Sequence, residues 1–233
     1  MKKRYKIPLI ISVIILVLFG AFLIYASDYY KADQNALKAL DNEKFITVEK
    51  NLTILTPEKS NETALIFYPG AKVEDVAYLP ILEKLRQNGI TCILVKMPFN
   101  MAIFNQNAAD KVFEKLPNIK NWYIGGHSMG GAMASSYTAD NKTKIKGLIL
   151  LGAYIYGDVS SEDALTIYGT FNSNLEKNID YTENIVIIDG GNHAQFGNYG
   201  KQKGDPDATI SNEEQQNIAV EAILDFIQKK NSE

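Results

Sequence analysis

The chain has 233 residues, 46% apolar and 22% charged, with a net charge of −3, a composition and length that suit one α/β domain with a small addition. Lys2, Lys3, Arg4 and Lys6 crowd the N-terminus, leaving 20 of the 24 basic residues against 27 acidic ones. This balance argues against nucleic acid as the partner of the main domain, because phosphate binding needs a basic face. The lone cysteine, Cys92, excludes an intrachain disulfide and a small stapled scaffold, and its place in the apolar run Thr91–Val95 predicts a buried strand residue.

Residues 7–26 carry no charge. As a helix they would be about 30 Å long, the thickness of a bilayer's hydrocarbon core. The expectation is a transmembrane anchor with residues 1–6 as a cytoplasmic basic tail and the rest of the chain extracytoplasmic, in a single-pass protein of the cell membrane. Tyr25, Tyr29 and Tyr30 fall where an interfacial aromatic belt would lie. A cleaved signal peptide is the rival reading, but Ile24-Tyr25-Ala26 is a poor small-x-small site. Residues 27–44 are polar with scattered apolar positions and read as a stalk or short helix, and residues 45–233 as the main domain.

Strand and helix patterns alternate from Phe45 onward. Phe45–Val48 and Leu52–Leu55 read as strands, and Ala64–Tyr68 as a strand ending at Pro69-Gly70. A helix is predicted over Val73–Asn88, closed by Gly89, then a strand over Ile90–Lys96 and a helix over Asn107–Leu116. Asn121–Gly125 reads as a strand and Met129–Asp140 as a helix, followed by strands at Ile145–Ala153, Ala164–Tyr168 and Asn184–Ile188. Ser211 with Glu214 forms a capping box that opens a last helix through Gln228. This alternation predicts an α/β fold with a mostly parallel sheet covered on both faces.

Gly126-His127-Ser128-Met129-Gly130 falls between a strand and a small-residue helix, the setting of a nucleophile elbow. There Ser128 is the candidate nucleophile, and the Met129 amide faces the developing oxyanion. A serine hydroxyl needs a general base, and the chain has two histidines. His127 adjoins the serine and is expected to point away from it. His193 follows the last strand, at the sheet edge where such folds bind ligands, and is the candidate base. The Ala71 amide, in Tyr68-Pro69-Gly70-Ala71-Lys72, is the candidate second oxyanion donor.

Taken together, Phe67–Val73, Val95–Asn100, Gly125–Gly131 and Gly190–Gly200, continuing through Gly204-Asp205 to Glu213–Gln216, resemble the alpha/beta hydrolase fold-5 family, relatives of the dienelactone hydrolases. The resemblance implies the α/β-hydrolase fold and a serine-esterase-like mechanism without metal or organic cofactor. It also exposes a departure. The fold's usual acid follows the strand Ala164–Tyr168, where this chain has Asn172. An amide in place of that carboxylate costs a serine protease about 10⁴ in kcat. Asp158, Asp189 and Asp205 are the substitutes, with Asp158 ranked first because it keeps the order Ser, Asp, His; the remaining alternative is a slow but active Ser–His pair oriented by Asn172 itself.

Between Ala153 and Ala164 there is no room for a helical lid, so an open site is expected, roofed by short loops such as Met97–Asn107. The reading that follows is a membrane-anchored serine hydrolase acting on a small or lipid-like acyl substrate. A binding protein that keeps the fold with little or no activity, or an acyltransferase, is the alternative.

Overall fold

The computed structural model describes residues 6–59 and 61–233. The basic residues Lys2, Lys3 and Arg4 lie outside the described residues. Helix α1 (Lys6–Ser27) contains the apolar stretch Pro8–Ser27, with mean hydropathy 2.9, long and apolar enough to cross a membrane. Its large side chains from Leu9 to Phe19 are all more than half exposed. This suits either an anchor or a signal sequence, and not a core helix of the main domain.

Residues 28–40 do not stand off as a stalk. Tyr30 pairs with Val73 in an isolated parallel bridge, with Tyr30 N–H donating to the Lys72 carbonyl (2.7 Å) and Glu74 N–H to the Tyr30 carbonyl (2.9 Å). The Glu74 carboxylate accepts from Ala32 N–H (2.9 Å), and Asp33 N–H donates to the Asn198 carbonyl (2.8 Å). Asp33 also caps the short helix α2 (Gln34–Ala39), whose Ala36 is fully buried. The segment is thus docked on the domain, and the expected domain start at residue 45 moves forward to about Tyr30.

The sheet has eight strands in the order β1-β2-β4-β3-β5-β6-β7-β8. β1 (Ile46–Val48) and β2 (Leu52–Leu55) are antiparallel to their neighbours. β3 (Thr63–Tyr68), β4 (Thr91–Val95), β5 (Asn121–His127), β6 (Gly147–Leu151), β7 (Ala164–Gly169) and β8 (Ile185–Ile188) run parallel. Helix α3 (Leu79–Gln87) and the terminal helix α7 (Asn212–Ser232) cover one face; α4 (Asp110–Phe113) and α5 (Met129–Asp140) cover the other. A short α6 (Ser173–Glu176) follows β7.

Strand alternation explains why both faces need cover. In β3, Leu65 and Phe67 enter the core under α3 and α7, while Ala64, Ile66 and Tyr68 enter the one under α5. Every β3 residue is buried. Each large apolar side chain so buried contributes about 1.5–3 kcal/mol. Cys92 lies on β4, fully buried, with its thiol pKa pushed up by desolvation.

Two predicted helices are shorter than expected. Val73–Asn88 divides into a 3-10 turn, Asp75–Tyr78, and α3, because Pro80 fits only the first turn of a helix and Val73 is engaged with Tyr30. Asn107–Leu116 contributes only α4, preceded by three 3-10 turns over Pro98–Ala109. The α7 cap is as read, with Ser211 Oγ accepting from Glu214 N–H (3.1 Å).

Candidate active site

Ser128 connects β5 to α5 with φ 53° and ψ −122°, a backbone conformation that costs a non-glycine residue about 1–3 kcal/mol. The turn is held from both sides: Ser128 N–H donates to the Leu151 carbonyl (3.0 Å) and its own carbonyl accepts from Ala132 N–H (3.1 Å). The flanking glycines make the close approach possible. A Cβ on Gly126 would lie 2.6 Å from the Tyr68 carbonyl oxygen, and one on Gly130 would overlap the Tyr68 and Pro69 carbonyls. The Ser128 hydroxyl does not cap α5. It stands at the C-terminal edge of the sheet, between β5 and α5.

His193 is delivered to the same edge by the loop after β8. Its backbone is clamped by Asp205, whose carboxylate accepts from His193 N–H (3.2 Å) and Ala194 N–H (2.8 Å). The Gln215 amide on α7 pairs with both backbone groups of Asn192 (3.0 and 2.8 Å). The ring rests against Gly152, where a Cβ would come within 2.9 Å of His193 Nδ1. Gly152 follows Leu151, the residue that accepts from the Ser128 amide. The His127 and His193 ring centroids are 4.5 Å apart. The imidazole therefore lies beside the elbow. Burial lowers its pKa from the usual value, partly opposed by Asp205, so the ring is neutral and able to accept a proton near pH 7.

His127 points away from the serine, as expected, into a buried relay. Its Nε2 is 2.9 Å from the His193 carbonyl, which can only accept, so Nε2 carries the proton. Nδ1 is then an acceptor, and Tyr78 Oη donates to it across 2.8 Å. Tyr78 Oη in turn accepts from Gly70 N–H (3.1 Å). One chain of hydrogen bonds thus joins the turn after β3 to the loop that carries His193. Desolvation holds the His127 pKa well below its ordinary value, consistent with a neutral structural ring.

Among the described residues, Asn172 lies at His193 Nδ1, with the amide 2.9 Å from the ring nitrogen. As placed, the amide donates through Nδ2, which would leave the proton on Nε2 and disable the base. A flip puts Oδ1 against Nδ1–H and frees Nε2; the amide makes no other hydrogen bond that would oppose it. Asp158 is not at the ring: its carboxylate is 95% exposed and pairs with Lys142 (2.6 Å). The expected first place of Asp158 as the partner of His193 is not met by this geometry, in which Asn172 touches the ring. Asp189 is exposed on the turn after β8, and Asp205 grips the histidine's backbone and not its ring.

On the other side of the elbow, the amides of Gly70 and Lys72 are taken by Tyr78 Oη and the Asn100 carbonyl (2.7 Å), while the Ala71 amide between them has no acceptor among the described residues. The Met129 amide is in the first turn of α5, where N–H groups have no intrahelical partner. The close approach of Gly130 to the Tyr68 and Pro69 carbonyls, where no Cβ would fit, brings these two donors to neighbouring backbone.

The segment 152–163 contains only a 3-10 turn, Ser161–Asp163, and no lid helix. A cavity of about 750 Å³ lies behind the histidine loop, lined by Lys84, Gln195, Asn198 and Gln216 among others; Ser128 and His193 do not line it. No group of three His, Cys, Asp or Glu among the described residues could hold a metal ion. Sequence reasoning missed Tyr78 and Gly152. Tyr78 carries no motif signal, and Gly152 follows a strand in a way that any turn glycine does.

Residues 64–217 match the alpha/beta hydrolase family. Among solved structures, the chain is similar to a dienelactone hydrolase from Anabaena variabilis (15% identity, 74% of this chain and 90% of that one, TM-score 0.51). It is also similar to Est1E from Butyrivibrio proteoclasticus (17%, 78% and 98%, TM-score 0.53) and MenH from S. aureus (13%, 78% and 100%, TM-score 0.56). These likenesses establish the fold. No curated protein matches the chain.

Proposed function

Because the chain belongs to the alpha/beta hydrolase family, we propose that it is a serine hydrolase that cleaves an ester or similar acyl bond through a Ser128 acyl-enzyme. The observation that carries this reading is the backbone of Ser128. A serine held at φ 53° between a strand and a helix is strain without a packing return, and such strain concentrates at reacting groups.

In this mechanism the Asn172 Oδ1 atom accepts from His193 Nδ1–H and leaves Nε2 unprotonated. Nε2 takes the hydroxyl proton as Ser128 Oγ attacks the acyl carbon, and the Met129 and Ala71 amides receive the oxyanion. The imidazolium returns its proton to the leaving group, and a water molecule repeats the sequence to release the acid. The lowered pKa of His193 keeps the base free, while the neutral Asn172 puts no charge against Nδ1 of the imidazolium, so turnover is slow. With α1 as a signal-anchor, the site works at the outer face of the cell membrane on a small or lipid-like acyl compound.

Asn172 also favours a second reading, a fold-retaining binding protein with little or no activity; transfer of the acyl group to an acceptor other than water is a further variant of the same chemistry. Labelling of the full-length protein with a fluorophosphonate probe decides the first question. Labelling that disappears in both Ser128→Ala and His193→Ala supports the hydrolase. An unlabelled wild-type protein between pH 6 and 9 overturns it.

A further inference from the structure

The loop between β4 and α4 packs against the end of α1. Phe99 and Phe104 on this loop meet Phe22 of α1 edge to face, with ring centroids 5.1 and 5.6 Å apart, and meet each other at 5.6 Å. Phe22 lies five residues before the end of α1, about 8 Å along the axis at 1.5 Å per residue. If Pro8–Ser27 spans a bilayer, the two rings sit at the level of its last apolar turns, inside the interface and not above it. Phe99, Ile103 and Phe104 are nonetheless 44%, 55% and 50% exposed. Only Asp28 and Tyr29 separate α1 from Tyr30, the first residue of the chain paired with Val73. Three peptide steps reach at most about 11 Å. The Lys72 ammonium closes this joint further, lying over the Tyr25 ring (4.1 Å) and against Asp28 (3.5 Å).

The same loop borders the site. Phe99 and Asn100 both adopt positive φ (55° and 53°), and the Asn100 carbonyl accepts from Lys72 N–H, next to the Ala71 amide. The 3-10 turn Ala102–Phe104 packs on α5, the helix that begins at the elbow. Beyond α1, the exposed large apolar side chains among the described residues are concentrated on loops leaving this sheet edge. Phe99, Ile103, Phe104, Tyr154, Tyr156 and Phe171 follow β4, β6 and β7, against Leu37, Val48 and Ile187 elsewhere. An apolar rim continuous with a membrane helix fits the bilayer interface.

Resting on the acyl-hydrolase and anchor readings above, we propose that the rim of the site, with Phe99, Ile103 and Phe104 as its lip, is inserted in the outer leaflet. The substrate is then an amphiphilic acyl ester resident in that leaflet, which reaches Ser128 without crossing bulk water. The bilayer supplies the cover that the missing lid does not, excluding water from a site otherwise open to it.

Insertion and substrate class are tested separately. The full-length protein, in a Trp122→Phe background, is placed in phosphatidylcholine vesicles with or without acyl-chain bromination, carrying Phe22→Trp, Phe99→Trp or Phe104→Trp. Brominated lipid should quench the Phe99→Trp and Phe104→Trp emission to within about twofold of the Phe22→Trp quenching. Quenching of Phe22→Trp alone overturns insertion of the lip, and quenching of none overturns the anchor as well. This readout needs no activity, so failure of the hydrolase reading leaves it intact. For the substrate, the Phe99→Ser/Ile103→Ser/Phe104→Ser variant should lose at least tenfold in hydrolysis of a fluorogenic acyl ester embedded in the vesicles. Hydrolysis of p-nitrophenyl acetate should stay within twofold of wild type. Equal loss on both substrates, or no loss on the embedded one, overturns the leaflet substrate.

Discussion

Replacing Asn172 with Asp tests the site at its most unusual point. The Asn172 amide is 2.9 Å from His193 Nδ1, so a carboxylate in its place would put a negative charge about 4 Å from the centre of the imidazolium that forms in the transition state. At an effective dielectric constant of about 20, such a pair attracts by about 4 kcal/mol. Both groups are partly exposed, and about half of that survives screening. The remaining ~2 kcal/mol corresponds to about a 30-fold rise in kcat/KM. The same stabilisation raises the His193 pKa. In the wild type burial depresses that pKa, so activity falls only when acid protonates the base below the ordinary histidine range. In Asn172→Asp the acid limb moves upward, and the gain is full at pH 8 to 9 and smaller at pH 6. The assay is a pH–rate profile on a chromogenic short-chain ester. A variant with unchanged or lower kcat/KM at pH 8 and an unmoved acid limb would refute the placement of Asn172 at the base. Asp158→Asn serves as the control and should alter neither quantity by more than twofold.

The buried relay predicts a cost without any change at the reacting atoms. Tyr78→Phe leaves Gly70 N–H and His127 Nδ1 unpaired in a fully buried place. Two orphaned groups at about 1–3 kcal/mol each should lower stability by about 2–6 kcal/mol in denaturant unfolding; a loss under 0.5 kcal/mol would show that the two groups find other partners. The elbow predicts an inverted substitution order. At most positions glycine is less stable than alanine, but at φ 53° and ψ −122° Ser128→Gly should exceed Ser128→Ala by about 1 kcal/mol in thermal unfolding. Equal or reversed stabilities would mean that the turn is relaxed.

Much of this was legible because apolar runs and glycines carry topological information. Ala64–Tyr68 announces a twice-covered strand, and Gly126 to Gly130 announce a turn in which backbones nearly touch. The helix boundaries at Pro80 and around Pro98–Ala109 were misjudged because periodicity does not report where a chain turns aside to pair with a distant segment. Tyr30 with Val73 is such a pairing, 43 residues apart in sequence. The partner of His193 was ambiguous for a related reason. Order along the chain favoured Asp158, but a loop can send a carboxylate outward to a lysine, as it does to Lys142. Asp205 was legible as a retained residue, yet its grip on two backbone amides has no sequence signature.

The Tyr30–Val73 bridge has a practical side. Trimming the protein to the boundary suggested by its first clear strand, near Phe45, would strip away the peptide that flanks Lys72 and Glu74 and uncover Ala36's socket beneath α2. Cutting directly after Ser27 would leave that edge still sewn shut. Lower stability of the fragment cut near Phe45 than of the one cut after Ser27 would show that residues 28–40 are architecture and not tether.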